Sequence, residues 1–165
     1  ESVFMQFWRI REKVMDINEA TTGARVIVSV NVVGGVRRDL TEQQCAWILS
    51  ELDDVEREIK KLQSTMFNDY TVRKRTEGVG VLAKEQAYEL GAAGPTLRGS
   101  GWAQDIRMTK YSAFDELDFE PVVETAGDCM ARSKVRFRET LASIELVRQA
   151  IRKMPAGDIS VAVKG

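Results

Sequence analysis

The sequence predicts a mainly α fold with minor strands, a helical bundle carried by segments near residues 3–22, 41–66 and 128–153. Two patterns carry that prediction. Between Cys45 and Met66 the apolar residues Cys45, Ile48, Leu52, Val55, Ile59, Leu62 and Met66 alternate spacings of three and four, which draws one seam along a helix. Between Asp128 and Lys153 two such stripes run side by side, as on a helix buried on more than one face. A third pattern supplies the minor strands: the β-branched run over 26–33 and the alternating 159–163. At 165 residues the chain fits one domain, 1–165.

In the first helix, Phe4, Phe7, Trp8, Val14, Met15 and Ile17 are interleaved with Arg9, Arg11, Glu12 and Lys13, and Gly23 stops it. Val26 to Val33 reads as a buried strand ending at Gly34-Gly35. Thr41-Glu42-Gln43-Gln44 is a capping box, in which the Thr41 hydroxyl accepts an amide of the first turn and Gln44 reaches back. Glu56 and Lys60 stand on the solvated side of that helix. A break at Asn68-Asp69 leads to the basic stretch Arg73-Lys74-Arg75, and a short helix from Lys84 to Leu90 stops at Gly91.

From Gly91 to about Gly127 no strong period appears, and the glycines read as a long loop holding Arg98, Ser100, Asp105 and Arg107. Such a stretch in a compact domain is functional or covered by something larger. Met130, Phe137, Leu141, Ile144 and Ile151 make one stripe of the last long helix, and Ala131, Val135, Ala142, Leu146 and Ala150 the other. Asp128 sits where that helix needs its N-cap, and Pro155 and Gly157 end it.

Composition excludes more than it suggests. Histidine is absent, so no Ser-His-Asp or Cys-His arrangement, His-ligated metal or histidine base is available. Twenty-four basic against 25 acidic residues give a net charge of −1, which argues against a nucleic-acid partner or a polybasic membrane surface. Cys45 and Cys129 belong to no C-x-x-C pair and read as reduced, core-like thiols. No apolar run approaches the ~18 residues needed to span a bilayer. The start at Glu1-Ser2-Val3-Phe4-Met5 falls inside a helical pattern, as in a piece of a longer chain. Gly78-Val79-Gly80 is no nucleotide loop, because the strand-then-helix setting and the third glycine are missing.

The candidate site residues are polar or glycine. Gly34-Gly35 reads either as a turn or as a place where backbone approaches a bound group closely. Arg37 and Arg38 suit an anionic group or a proton-relay carboxylate, or equally a solvated turn paired with Asp39. Asp105, set between Arg98 and Arg107, stays ionised and can hold a loop rigid over a buried site, or it serves geometry alone.

Three segments, read together, resemble a known family. They are Asn31-Val32-Val33-Gly34-Gly35-Val36-Arg37-Arg38-Asp39-Leu40, then Gly94-Pro95-Thr96-Leu97-Arg98-Gly99-Ser100-Gly101 with Asp105-Ile106-Arg107, then Gly127-Asp128-Cys129 with Arg132 and Val135-Arg136. In that order they resemble the large, catalytic subunit of nickel–iron (NiFe) hydrogenases. The likeness is to the energy-converting, membrane-bound group of formate hydrogenlyase, CO-induced and Ech-type enzymes. They look equally like the homologous quinone-site subunit of respiratory complex I. The string Gly34-Gly35-Val36-Arg37-Arg38-Asp39-Leu40 favours the hydrogenase.

The resemblance implies a truncated helical bundle of the hydrogenase large-subunit type, the central fragment of a subunit that oxidises or evolves H2. Its implied partners are an Fe–S small subunit and membrane subunits, at the cytoplasmic inner face of the membrane. The Ni-Fe centre would be held by two C-x-x-C pairs outside this sequence, with no cofactor in the fragment. On this reading Gly34, Gly35, Arg37, Arg38, Asp39, Arg98, Ser100, Asp105, Arg107 and Asp128 support the pocket, and none is itself catalytic. The alternatives are the equivalent complex I fragment, with quinone and NAD chemistry in its parent, and a non-catalytic helical interaction module. Its exposed seam would also allow a homodimer of the excised piece.

Overall fold

The computed structural model describes residues 2–162. The chain divides into two compact units: the first is Glu1–Glu58 with Lys153–Gly165, and the second is Ile59–Arg152.

In the first unit, α1 (Ser2–Thr22) ends where Gly23, at φ +85°, donates its N–H to the Glu19 carbonyl at 2.8 Å. It buries Ile10 and Met15. The capping box forms as expected, with the Gln44 amide on the Thr41 hydroxyl at 3.2 Å and the Thr41 amide on Gln44 Oε1 at 3.0 Å. It starts α2 (Glu42–Asn68), whose Ile48, Leu52 and Val55 are buried in this unit. Lys13 of α1 donates to Glu51 and Asp54 of α2 at 3.0 and 2.9 Å, and Arg9 pairs with Glu58. These pairs are partly exposed and set alignment more than stability.

The expected buried strand over 26–33 is not there. Only Asn31–Val32 (β1) and Gly35–Val36 (β2) form strands, paired antiparallel through a two-residue turn at Val33-Gly34. Val26, Ile27 and Val33 are largely exposed. The composition favours a strand, but a buried strand requires a neighbour on each edge, and β1 has one only on the β2 side. Of the expected strand at 159–163, Ser160 alone bridges to Gly35, while Val163 lies outside the described residues.

In the second unit Ile59 and Leu62 continue the α2 seam, and Phe67 meets Phe137 edge-on at 5.2 Å. The break falls where expected: Asp69 caps α3 (Tyr70–Thr76) by accepting the Val72 amide at 2.8 Å. Next comes α4 (Lys84–Glu89), stopped at Gly91 with φ +65°. The stretch read as an aperiodic loop contains α5 (Gly94–Arg98), started by Pro95, and two 3₁₀ turns at Ile106–Thr109 and Ser112–Asp115. A five-residue helix is too short to leave a period in the sequence. Finally α6 (Cys129–Lys153) buries Met130, Phe137 and Ile144 from one stripe and Ala131, Val135 and Leu146 from the other. The mainly helical expectation holds. Among the described residues no helix is long and apolar enough to cross a membrane.

Candidate functional site

The second unit holds a buried network of four charges. Arg98, the last residue of α5, has a side chain 8% exposed and faces two carboxylates. Its Nε donates to Glu139 of α6 at 2.5 Å, and its Nη1 lies 3.2 Å from Asp105 Oδ2 while donating to the Gln104 carbonyl at 2.9 Å. Arg107 closes the set with a two-pronged grip on Asp105, Nε to Oδ1 at 2.8 Å and Nη2 to Oδ2 at 2.6 Å. Arg107 also lies over the Phe119 ring, 4.3 Å from its centre. Two cations and two anions cancel, so the cluster is neutral and each charge has a partner.

The Arg107 hydrogen bond holds the Asp105 carboxyl below the usual carboxylate range, against the opposing push of burial. Asp105 in turn raises Arg107. A carboxylate depressed in the folded state contributes stability that is present above its unfolded pKa, ~3.9, and lost as pH falls through the folded value. Wild-type stability should therefore fall as pH is lowered below the unfolded carboxylate value, ~3.9. In Asp105→Asn the same titration is shallower and starts from a lower plateau. Urea midpoints at several pH values check this, and identical slopes would contradict it.

Below this network the backbone is clamped at Asp128. Its Oδ1 accepts the Ala131 amide at 2.7 Å, the predicted N-cap, and its Oδ2 accepts the Gly78 amide at 2.8 Å. Burial pushes the Asp128 carboxyl up, and the Gly78 and Ala131 amides outweigh it, so the group titrates low. Arg132 donates to the carbonyls of Gly127 at 2.7 Å and Gly80 at 2.9 Å. The Gly127 amide reaches the Gly99 carbonyl at 2.8 Å, and the Ser100 hydroxyl donates to the Leu82 carbonyl at 2.8 Å. Gly78-Val79-Gly80 is thus a strut bound to the start of α6.

In the first unit Gly34 takes φ +94° at the second position of the turn, as type II turns require. Gly35 is needed for another reason: a Cβ there would sit 2.1 Å from the Ile159 carbonyl oxygen. The close backbone approach read from the sequence is real, but the backbone that approaches is the chain's own. Arg37 and Arg38 are exposed and make no ion pair among the described residues. The alternative pairing with Asp39 does not form either among the described residues, and that carboxylate accepts the Leu40 amide at 2.8 Å.

The predicted residues therefore fall into two groups, Gly34 to Asp39 in the first unit and Arg98 to Asp128 in the second. The sequence reading missed Glu139. Its signal was a charge inside an apolar stripe, four residues after Val135 and three before Ala142. The residues present do not fit a Ni-Fe centre. Cys45 lies in the first unit and Cys129 in the second, and among the described residues no three of Cys, Asp and Glu gather as metal ligands.

Comparison with known proteins reaches nearly the whole chain. The family model described as the respiratory-chain NADH dehydrogenase 49 Kd subunit matches residues 1–164. The chain is 36% identical, over 99% of its length, to 32% of a C/D-type NADH-quinone oxidoreductase polypeptide of Phocaeicola vulgatus. It is 35% identical, over 95% of its length, to 44% of the carbon monoxide-induced hydrogenase of Rhodospirillum rubrum. Its structure matches the membrane-bound sulfane sulfur reductase, an archaeal respiratory membrane complex, with a TM-score of 0.85 at 34% identity, covering 94% of this chain and 42% of that one. The chain thus spans less than half the length of each of these relatives. Near-equal overall identity to a quinone oxidoreductase and a hydrogenase does not single out the hydrogenase branch expected from Gly34 to Leu40. These relatives are a quinone oxidoreductase polypeptide, a hydrogenase and a respiratory membrane complex, and the chain belongs to the family of the respiratory-chain NADH dehydrogenase 49 Kd subunit.

Proposed function

We propose that this chain is the central part of the 49 kDa-type subunit of a complex I-like respiratory oxidoreductase, with quinone as the acceptor in its parent complex. The family-model match over residues 1–164 supports that reading over the hydrogenase one. The chain's own contribution is a rigid frame. The Arg98, Glu139, Asp105 and Arg107 network and the Asp128 clamp hold the 78–82, 98–107 and 124–128 segments against the start of α6. Every charge in the network is paired, so these groups position a neighbouring pocket and do not carry its chemistry. Fe–S and membrane subunits are the proposed partners, at the cytoplasmic face of the membrane.

The test is an assay of the purified parent complex with a soluble quinone and, separately, for H2 evolution from a reduced viologen. Quinone reduction without H2 evolution is the expected result. H2 evolution, with two C-x-x-C pairs in the flanking sequence, would transfer the chain to the hydrogenase branch. In the same complex Asp105→Asn should lower turnover with Fe–S content intact, and unchanged turnover would leave the network a purely structural device.

A further inference from the structure

The run Val26-Ile27-Val28-Ser29-Val30-Asn31-Val32-Val33 carries no charge and no proline, and most of it is β-branched. Val26, Ile27 and Val28 are nevertheless 71%, 81% and 46% exposed. Exposed strand edges in proteins are normally blunted by charges, prolines or bulges, and this one has neither charge nor proline. Arg25, at its start, is occupied by Glu12, Asp16 and Glu19.

The backbone shows which groups are open. Val30 gives its carbonyl to the Arg37 amide at 2.9 Å, so Val30 and Val32 face β2. Backbone groups alternate sides along extended chain, so Asn31 and Ser29 present theirs to the opposite edge, while the chain bends at Val26 and Ile27. Among the described residues, the backbone groups of Val26 to Ser29 make no hydrogen bond. On its other side the hairpin is already completed: Val36 donates to the Ile159 carbonyl and Val161 to the Gly34 carbonyl, each at 2.9 Å.

We propose that Val28–Asn31 is a strand-addition site, completed by an extended strand with apolar residues at alternate positions, supplied by the remainder of the longer 49 kDa-type subunit. The chemistry of the edge selects a β-strand, since only another backbone matches a row of amides and carbonyls, and the flanking Val and Ile side chains select apolar neighbours. A second copy is disfavoured by size. Four residues span about 13 Å, and a strand pair of that length buries well under the roughly 1,200 Å² of a stable specific interface. A strand in the same polypeptide acts at high effective concentration and needs no such area. The inference rests on the reading of this chain as part of a longer subunit, in line with its covering 32% and 44% of two relatives.

Amide hydrogen exchange on the parent complex and on the isolated chain tests it. Ser29 and Asn31 amides should exchange on the order of a hundredfold or more slower in the complex; equal rates overturn the proposal. Concentration-dependent protection of the isolated chain, with a dimer by light scattering, overturns it in favour of a second copy. Ser29→Pro removes an amide with no hydrogen bond within the chain, so the isolated variant should melt with the wild type while the parent subunit loses assembled complex. A parent that assembles normally with Ser29→Pro would also overturn it. Quinone reduction without protection sinks the strand alone, whereas protection in a complex that evolves H2 sinks only the quinone reading.

Discussion

Arg98→Ala should destabilise the second unit by about 3–5 kcal/mol, the usual cost of breaking a buried ion pair from one side. Arg98 is the partner of Glu139, whose side chain is 15% exposed, so its removal strands a carboxylate in a site built for a pair. Asp105 suffers less, because Arg107 keeps its two-pronged grip. Urea unfolding followed by the fluorescence of Trp102, whose indole N–H donates to the Lys84 carbonyl at 2.8 Å, reads that unit once Trp8 and Trp47 of the first unit are replaced by Phe in every variant compared. The double variant Arg98→Met with Glu139→Leu should recover most of the loss, since an apolar pair of similar volume replaces a desolvated ionic one. A loss below about 1 kcal/mol for Arg98→Ala would show instead that water solvates the pair and that it behaves as a surface bridge.

Gly127→Ala is the second large effect, about 2–3 kcal/mol from a left-handed residue and a broken hydrogen bond. Gly127 has φ +67°, and a Cβ there would lie 2.4 Å from the Leu82 carbonyl oxygen. Its carbonyl accepts both the Leu82 amide at 3.0 Å and Arg132 Nη1 at 2.7 Å. The variant must therefore push the 78–82 strut off the start of α6. Faster amide exchange at Leu82 than at core positions of α6 should accompany the lost stability. Gly91→Ala is the control: it shares a positive φ, +65°, but nothing lies within 4 Å of its would-be Cβ. It should cost only the backbone strain, ~1 kcal/mol. Equal losses at the two positions would assign the whole effect to strain and none to contact.

Much of the helical scaffold was legible in the residue order. The α2 seam, the Thr41–Gln44 box, the break at Asp69, the stop at Gly91 and the Asp128 cap are all local. Each is decided by residues within about a turn of one another, so period and cap chemistry suffice. The clustering of Arg98, Asp105 and Arg107 was legible for the same reason, being close in sequence, whereas Glu139 lies forty-one positions from Arg98.

What only the tertiary structure decided is the set of features that need a partner from elsewhere in the chain. Val26 to Val33 carries strand propensity, yet the sheet is two residues wide on each side of one turn, because a strand's hydrogen bonds must run to a different segment. Gly35 is required by Ile159, and Glu139 by Arg98. Helix hydrogen bonds close within four residues, and ladders and long-range ion pairs close across the fold, so the sequence by itself determined the long helices and their caps, and the tertiary structure decided the strands and the place of Glu139 in the charged cluster.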